Sequence, residues 1–249
     1  SDDWNTFREK VEAAQSNREV NAILNADITI TEPVGTTNGY FIGEFHGNGH
    51  TINCNINKSQ FYEAAPFPCV KNASIHDVHI TGKISGPNPA GLVVAPMNNV
   101  SDVVRLSINR VRVSADIFDT NKYGCKAGGF VQHGAWHNIT IENCLFDGTM
   151  TASIFDESYA APFIGNSSTN VGTWNINNNF ENSSYTNFKN VAMCFRSYNH
   201  PISSSYMQSY ACNSSNYSTH DWTSVYENNR SVGKWANQTL IEKLGDGWT

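Results

Sequence analysis

Apolar residues recur along this chain in a fixed grammar. Four segments, SIHDVHITGKI from Ser74, SINRVRVSADI from Ser107, TIENCLFDGTM from Thr140 and TNFKNVAMCFR from Thr186, share it: an apolar residue, a second after three positions, a third after two more. The sets are Ile75/Val78/Ile80, Ile108/Val111/Val113, Ile141/Cys144/Phe146 and Phe188/Val191/Met193. The first two intervals are 33 residues; the third, 47, reads as the same unit lengthened by an Asn-rich insert around Thr173 to Asn182. A truncated copy, HTINCNI from His50, adds Cys54 and Ile56 to the same columns. Between the copies lies a second motif, a small pair leading into a short apolar strand: AGLVVA from Ala90, AGGFVQ from Ala127 and AAPFIG from Ala160.

A period in this range is the mark of a solenoid, in which one coil buries its apolar side only by stacking on its neighbours. Residue type selects which solenoid. The segments are rich in β-branched residues with near-alternating polarity, which favours strands over the helix pairs of ankyrin-like repeats. Leucine is too sparse for a leucine-rich horseshoe. The predicted fold is all-β, a right-handed parallel β-helix with an N-terminal capping helix. The column before the second apolar position holds Asn53, Asp77, Arg110, Asn143 and Asn190. Asn and Asp tolerate the left-handed backbone of a sharp bend, and stacked Asn side chains hydrogen-bond from coil to coil. Arg110 breaks this column, which implies an irregular bend or a side chain pointing to solvent.

A solenoid must cover its end faces. Asp2 or Asp3 can cap a helix whose Trp4, Phe7, Val11 and Ala14 fall on one face. At the other end Leu240 to Leu244, followed by Gly245, reads as a short helix with a glycine stop. The expected organisation is one domain over 1–249: a helical cap region in 1–25, coils in 26–200, and a C-terminal extension and cap in 201–249.

Composition narrows the function. Charged residues are 15% of the chain and the net charge is −6, with no basic stripe for a phosphate backbone, so nucleic-acid binding lacks its main driving force. No run approaches a membrane span of about 18 apolar residues. The chain opens without a signal-peptide core, so it is expected to be a module of a longer precursor or protein, monomeric and tethered to other domains. Cys54, Cys69, Cys125, Cys144, Cys194 and Cys212 form no C-x-x-C pair, which argues against a zinc ribbon or thioredoxin-like site. Cys54 and Cys144 read as small core residues; Cys194 and Cys212 can bridge in an oxidising compartment.

Trp4 to Val11, Ala26-Asp27-Ile28 and FIGEFHGNGHTI from Phe41 resemble the first coils of bacterial surface and secreted β-helix domains of the pectate-lyase-like group. AGLVVA and AGGFVQ are similar to GLUG-type repeats, with the last glycine missing from both. The resemblance covers most of Trp4 to Gly165 and implies an extracellular, secreted or cell-surface protein. It leaves three functions open: a polysaccharide lyase or hydrolase, an adhesin or spacer, or a carbohydrate-binding module such as those attached to xylanases. Fold analogy does not choose among them.

Hydrolysis of a polysaccharide requires two carboxylates facing a cleft. Ile117-Phe118-Asp119 and Ile154-Phe155-Asp156-Glu157 are expected in corresponding loops, trailed by Tyr123 and Tyr159, which would put acids and aromatics at one corner. The alternative makes Asp119 and Asp156 turn residues bonded to their own backbone. Lyase chemistry and the paired-aspartate, Gly-His-Gly signature of pectin-type hydrolases find no match. His133 and His137 flank Trp136 with metal-compatible spacing only on a helix, which Gly134 opposes, so no metal ligand is assigned. No cofactor is expected, and the carboxylates do not specify whether calcium binds.

Carbohydrate binding asks for exposed rings to stack on sugars and polar side chains to meet their hydroxyls. Trp136 and Trp174, in polar loops, join Asp119, Tyr123, Asp156, Glu157 and Tyr159 as candidate ligand-binding residues, against the alternative that both tryptophans pack onto the solenoid. Tyr206, Tyr210, Tyr217, Trp222, Tyr226 and Trp235 mark a second aromatic-rich stretch. The leading expectation is a noncatalytic module binding xylan or another plant or host glycan. A glycan-degrading enzyme using Asp119, Asp156 or Glu157 stands second, and an adhesin or spacer third.

Overall fold

The interval of 33 residues is the climb of one coil: Ile75 pairs with Ile108, and Ile108 with Ile141, in parallel register. The computed structural model describes residues 2–37, 39–96, 104–134, 138–167, 173–191, 195–197, 210–212, 217–218 and 233–234. Over these the chain is a parallel β-solenoid with one N-terminal helix. One register column runs Ala22, Phe45, Ile75, Ile108, Ile141, Ile176 and Cys212. A second runs Ile28, Ile52, Ile80, Val113, Phe146 and Glu181, and a third Ile56, Ile84, Ile117, Met150 and Tyr185. Phe45, Ile75, Ile108, Ile141 and Ile176 are all buried. Each such side chain removed from water contributes roughly 1.5–3 kcal/mol, and only the next coil supplies the apolar surface that covers it.

Several features of the repeat differ from the sequence expectation. The Asn-rich stretch is no insert: Trp174–Asn177 pairs residue for residue with Ile139 to Glu142, so it forms a coil of its own. Its alternation of apolar and Asn positions is a strand pattern written with outward asparagines. The TNFKNVAMCFR segment is then displaced from the Ile75 column, since Asn190–Val191 pairs with Tyr159 and Ala160 in a separate sheet. HTINCNI is also shifted. Cys54 stands opposite Gly82, and the residue that precedes Ile75 in its column is Phe45. The small-pair motifs align with one step of offset, Ala90 meeting Gly128 and Val93 meeting Val131, which continues to Ile164. A Cβ on Gly91 would strike the Gly129 carbonyl, and one on Gly129 the Pro162 carbonyl, so close coil approach is what requires glycine there.

The bend after the first strand of each coil is left-handed at Asp77, Arg110, Asn143 and Asn178, with φ of 56°, 51°, 55° and 54°. Asn178 donates through Nδ2 to Asn143 Oδ1 at 2.5 Å, the coil-to-coil amide contact expected of such a column. Asn53 and Asn190 are not among these left-handed positions. Arg110 takes the same bend as its neighbours, and its guanidinium reaches down to the Asp77 carboxylate. The bend is therefore regular, with an ion pair in place of the amide contact.

Helix Asp2–Ala14 covers the first coil. Its Trp4, Phe7, Val11 and Ala14 are buried; Trp4 meets Phe45 and Phe67 edge-on, and its Nε1 donates to the Glu32 carbonyl at 2.8 Å. Beyond residue 200 the ladders continue through Tyr210–Cys212, Tyr217–Ser218 and Gly233–Lys234. The expected C-terminal helix, Cys194, Trp136, His137, Tyr206, Trp222, Tyr226 and Trp235 lie outside the described residues. Cys54, Cys69, Cys125 and Cys144 are buried free thiols. No described helix is long and apolar enough to cross a membrane.

Candidate glycan-binding corner

In each coil the third strand gives way to a loop before the small-pair motif, and parallel register stacks these loops at one corner. They are residues 58–63, 87–89, 120–125, 153–158 and 187–189. Large apolar side chains exposed among the described residues gather there: Phe61, Tyr62, Tyr123 and Phe155 on the loops, and Phe118 on the strand Asp116–Asp119 leading in. Among the described residues, Ile23 is the one such side chain elsewhere. Tyr123 is 90% exposed, a cost in water that packing does not offset, and clustered exposed apolar groups of this kind mark interaction surfaces.

The loops are held from beneath. Asp119 is fully buried; its Oδ1 accepts from the backbone N–H of Asn121 at 2.9 Å and of Asn88 at 3.1 Å, and its Oδ2 from that of Lys126 at 2.6 Å. Desolvation pushes its pKa up to about 6, against the pull of those hydrogen bonds. Asn121 donates to Asn88 Oδ1 and to the Gly124 carbonyl, at 3.0 and 2.7 Å, and accepts from the Tyr123 N–H at 3.0 Å. One loop up, buried Ser158 donates to the Phe155 carbonyl and accepts from the Lys189 N–H at 2.8 Å. Asn187 donates to the Ala152 carbonyl at 2.8 Å. Buried polar rungs thus join one loop to the next, and the aromatic tips project from a fixed base.

Asp119 and Asp156 do not correspond. Asp119 stands opposite Ala152, whereas Asp156 lies one loop further on, in step with Tyr123. The two Ile-Phe-Asp triplets are therefore out of register, and Asp119 accepts from the N–H of Asn121 two residues on, the contact of a turn residue. Asp156 is exposed and pairs with Lys189 Nζ at 3.1 Å, an arrangement that raises the lysine pKa. Glu157 is exposed with φ of 58° and lies beside Gly124; Tyr159 is half-buried on the adjoining strand. The corner therefore brings together Tyr123, Asp156 and Glu157, with Tyr159 at its edge and Asp119 below as support.

Trp174 does not join them. It is 1% exposed, its indole packs on Gly134, and Nε1 donates to the Gly134 carbonyl at 3.1 Å. Its place in the Ile139 register column points it inward, so it offers no face to a sugar. His133 ends the strand Val131–His133, and burial lowers its pKa.

Phe61, Tyr62, Phe118 and Phe155 are corner residues that the sequence reading does not single out. A signal for the first pair exists in Ala64-Ala65-Pro66-Phe67, which repeats the Ala160-Ala161-Pro162-Phe163 motif and hydrogen-bonds to the segment Ala90 to Leu92. Aligning the two motifs sets loop 58–63 against loop 153–158. Beside the corner, the outward positions Asn57, Ser85, Phe118, Thr151 and Thr186 form one column, and Asn55, Lys83, Asp116, Thr149 and Ser184 another. Amides and hydroxyls thus adjoin the exposed rings. The loop at 87–89 is short, with Pro87 and Pro89 buried, and carries no exposed ring. No family model, curated protein or solved structure matches the chain.

Proposed function

We propose that the chain is a noncatalytic carbohydrate-binding module whose aromatic corner takes an extended polysaccharide. The observation that carries this reading is the gathering of Phe61, Tyr62, Tyr123 and Phe155 on stacked loops beside columns of Asn, Ser and Thr. Sugar rings present apolar C–H faces to aromatic rings and hydroxyls to amides, hydroxyls and carboxylates. Loops spaced by roughly 4.8 Å per coil set these rings out over several coils along the stacking direction, which suits a polymer better than a small ligand. Asp119 is too deeply buried and too fully hydrogen-bonded to attack a glycosidic bond, which removes it from the acids a hydrolase could use here. The GLUG-like motifs support a surface-domain relationship and, with it, a secreted or cell-surface location.

Affinity gel electrophoresis in xylan, glucan, pectin and mucin tests the reading. The intact chain should be retarded in at least one gel, and Tyr123→Ala with Phe155→Ala should abolish the shift. Each ring face is worth about 1–2 kcal/mol, roughly 5–30-fold in affinity. No retardation in any gel, or equal retardation of the double variant, would exclude this role for the corner.

A further inference from the structure

A second cluster lies at the left-handed bend, away from the aromatic corner, and does not depend on the glycan reading. His46 and His76 are register partners on adjacent coils, and their rings stack with centroids 4.5 Å apart. Asp77 follows His76 in the left-handed conformation, which turns its carboxylate back over the ring pair. Asp77 Oδ2 lies 2.7 Å from His76 Nδ1 and 3.4 Å from His46 Nε2. One donor atom from each residue therefore falls within 4.8 Å of the others. The far side of each principal ligand is held: His76 Nε2 is 2.6 Å from Glu44 Oε1, and Arg110 pairs with Asp77 Oδ1.

The geometry points to a binding site for a divalent transition metal of the zinc class, ligated by His46 Nε2, His76 Nδ1 and Asp77 Oδ2. Two imidazoles and one carboxylate suit zinc and its neighbours; calcium and magnesium prefer all-oxygen sites. Metal–nitrogen and metal–oxygen bonds of about 2.0–2.2 Å place tetrahedral ligands about 3.3 Å apart. The His46 to Asp77 separation already meets that spacing. The His76 to Asp77 contact must open by about 0.6 Å as the ion replaces a proton between them, and the stacked rings must turn so that both in-plane lone pairs meet the ion. His76 then donates from Nε2 to Glu44, the outer carboxylate that orients a metal-bound imidazole. Glu44 and Asp77 against Arg110 leave an excess of negative charge for the cation. His46, His76 and Asp77 are partly exposed, so an ion has a way in.

The test is titration of the full chain with Zn²⁺ by calorimetry and with Co²⁺ by visible absorption, Ca²⁺ serving as control. About one equivalent of Zn²⁺ should bind well below about 1 mM, with Co²⁺ bands of low-coordinate intensity and no comparable Ca²⁺ binding. His76→Gln and Asp77→Asn should each weaken binding more than about 10-fold, and Glu44→Gln about 10-fold. Asn keeps the left-handed bend, and His46→Gln at the exposed rim provides a second variant should His76→Gln not fold. Absence of binding overturns the inference, as does Zn²⁺ binding unchanged in His46→Gln and Asp77→Asn.

Discussion

Asp119 is a buried acid whose contribution to stability depends on pH in a direction opposite to that of most carboxylates. Its pKa is raised from 3.8 to about 6, with burial as the main cause, while backbone N–H groups of Asn88, Asn121 and Lys126 oppose the rise. Between those values the native state holds a proton that the unfolded state has released, so stability falls as pH rises, by about 1.4 kcal/mol per unit. The contribution is fully present below the unfolded pKa and lost as pH climbs through about 6, a total of about 3 kcal/mol. Asp119→Asn removes the titration. The amide also turns a donor toward one of the three N–H groups, which lowers stability by an offset independent of pH. Urea unfolding of both proteins at several pH values between about 4 and about 7.5 isolates the pH-dependent part, because other groups cancel in the difference. The stability advantage of the unsubstituted chain over the Asp119→Asn variant should shrink by about 2.5 kcal/mol across that range. Parallel curves would refute the reasoning. An advantage that grows with pH would mean that the three N–H donors outweigh desolvation.

Other substitutions probe the stack and the corner. Ile108→Ala, in the middle of the inward column, should cost about 2–5 kcal/mol by urea unfolding, since coils on both sides restrict collapse into the cavity. Asn143→Ala should destabilise by about 1–2 kcal/mol while Asn143→Gly costs less, because the position is left-handed and accepts from Asn178. A smaller loss for alanine than for glycine would contradict the backbone explanation. Tyr123→Ala should leave thermal stability within about 0.5 kcal/mol, given its exposure; a larger loss would assign the ring a packing role.

The tandem copies made the architecture legible because stacking demands it. A coil lacking half its core must present the same apolar grammar as its neighbours, so Ile75, Ile108 and Ile141 announce themselves without coordinates. The helix cap was legible for a similar reason, since Trp4, Phe7, Val11 and Ala14 share one face whatever they pack against. Registration was decided in three dimensions. Trp174 and its flanking asparagines read as a loop, yet the coil below takes every second residue of that stretch into the core. Asp119 and Asp156 share a triplet but differ in depth, because a turn that wraps one carboxylate in backbone donors leaves the other on solvent. Phe61 and Tyr62 joined the corner, and His46 met His76, only through pairing between positions about one coil apart along the chain. Local pattern determines which residues face inward within a coil; which outward residues become neighbours depends on loop lengths and coil-to-coil hydrogen bonds, and that long-range pairing is set by the tertiary structure.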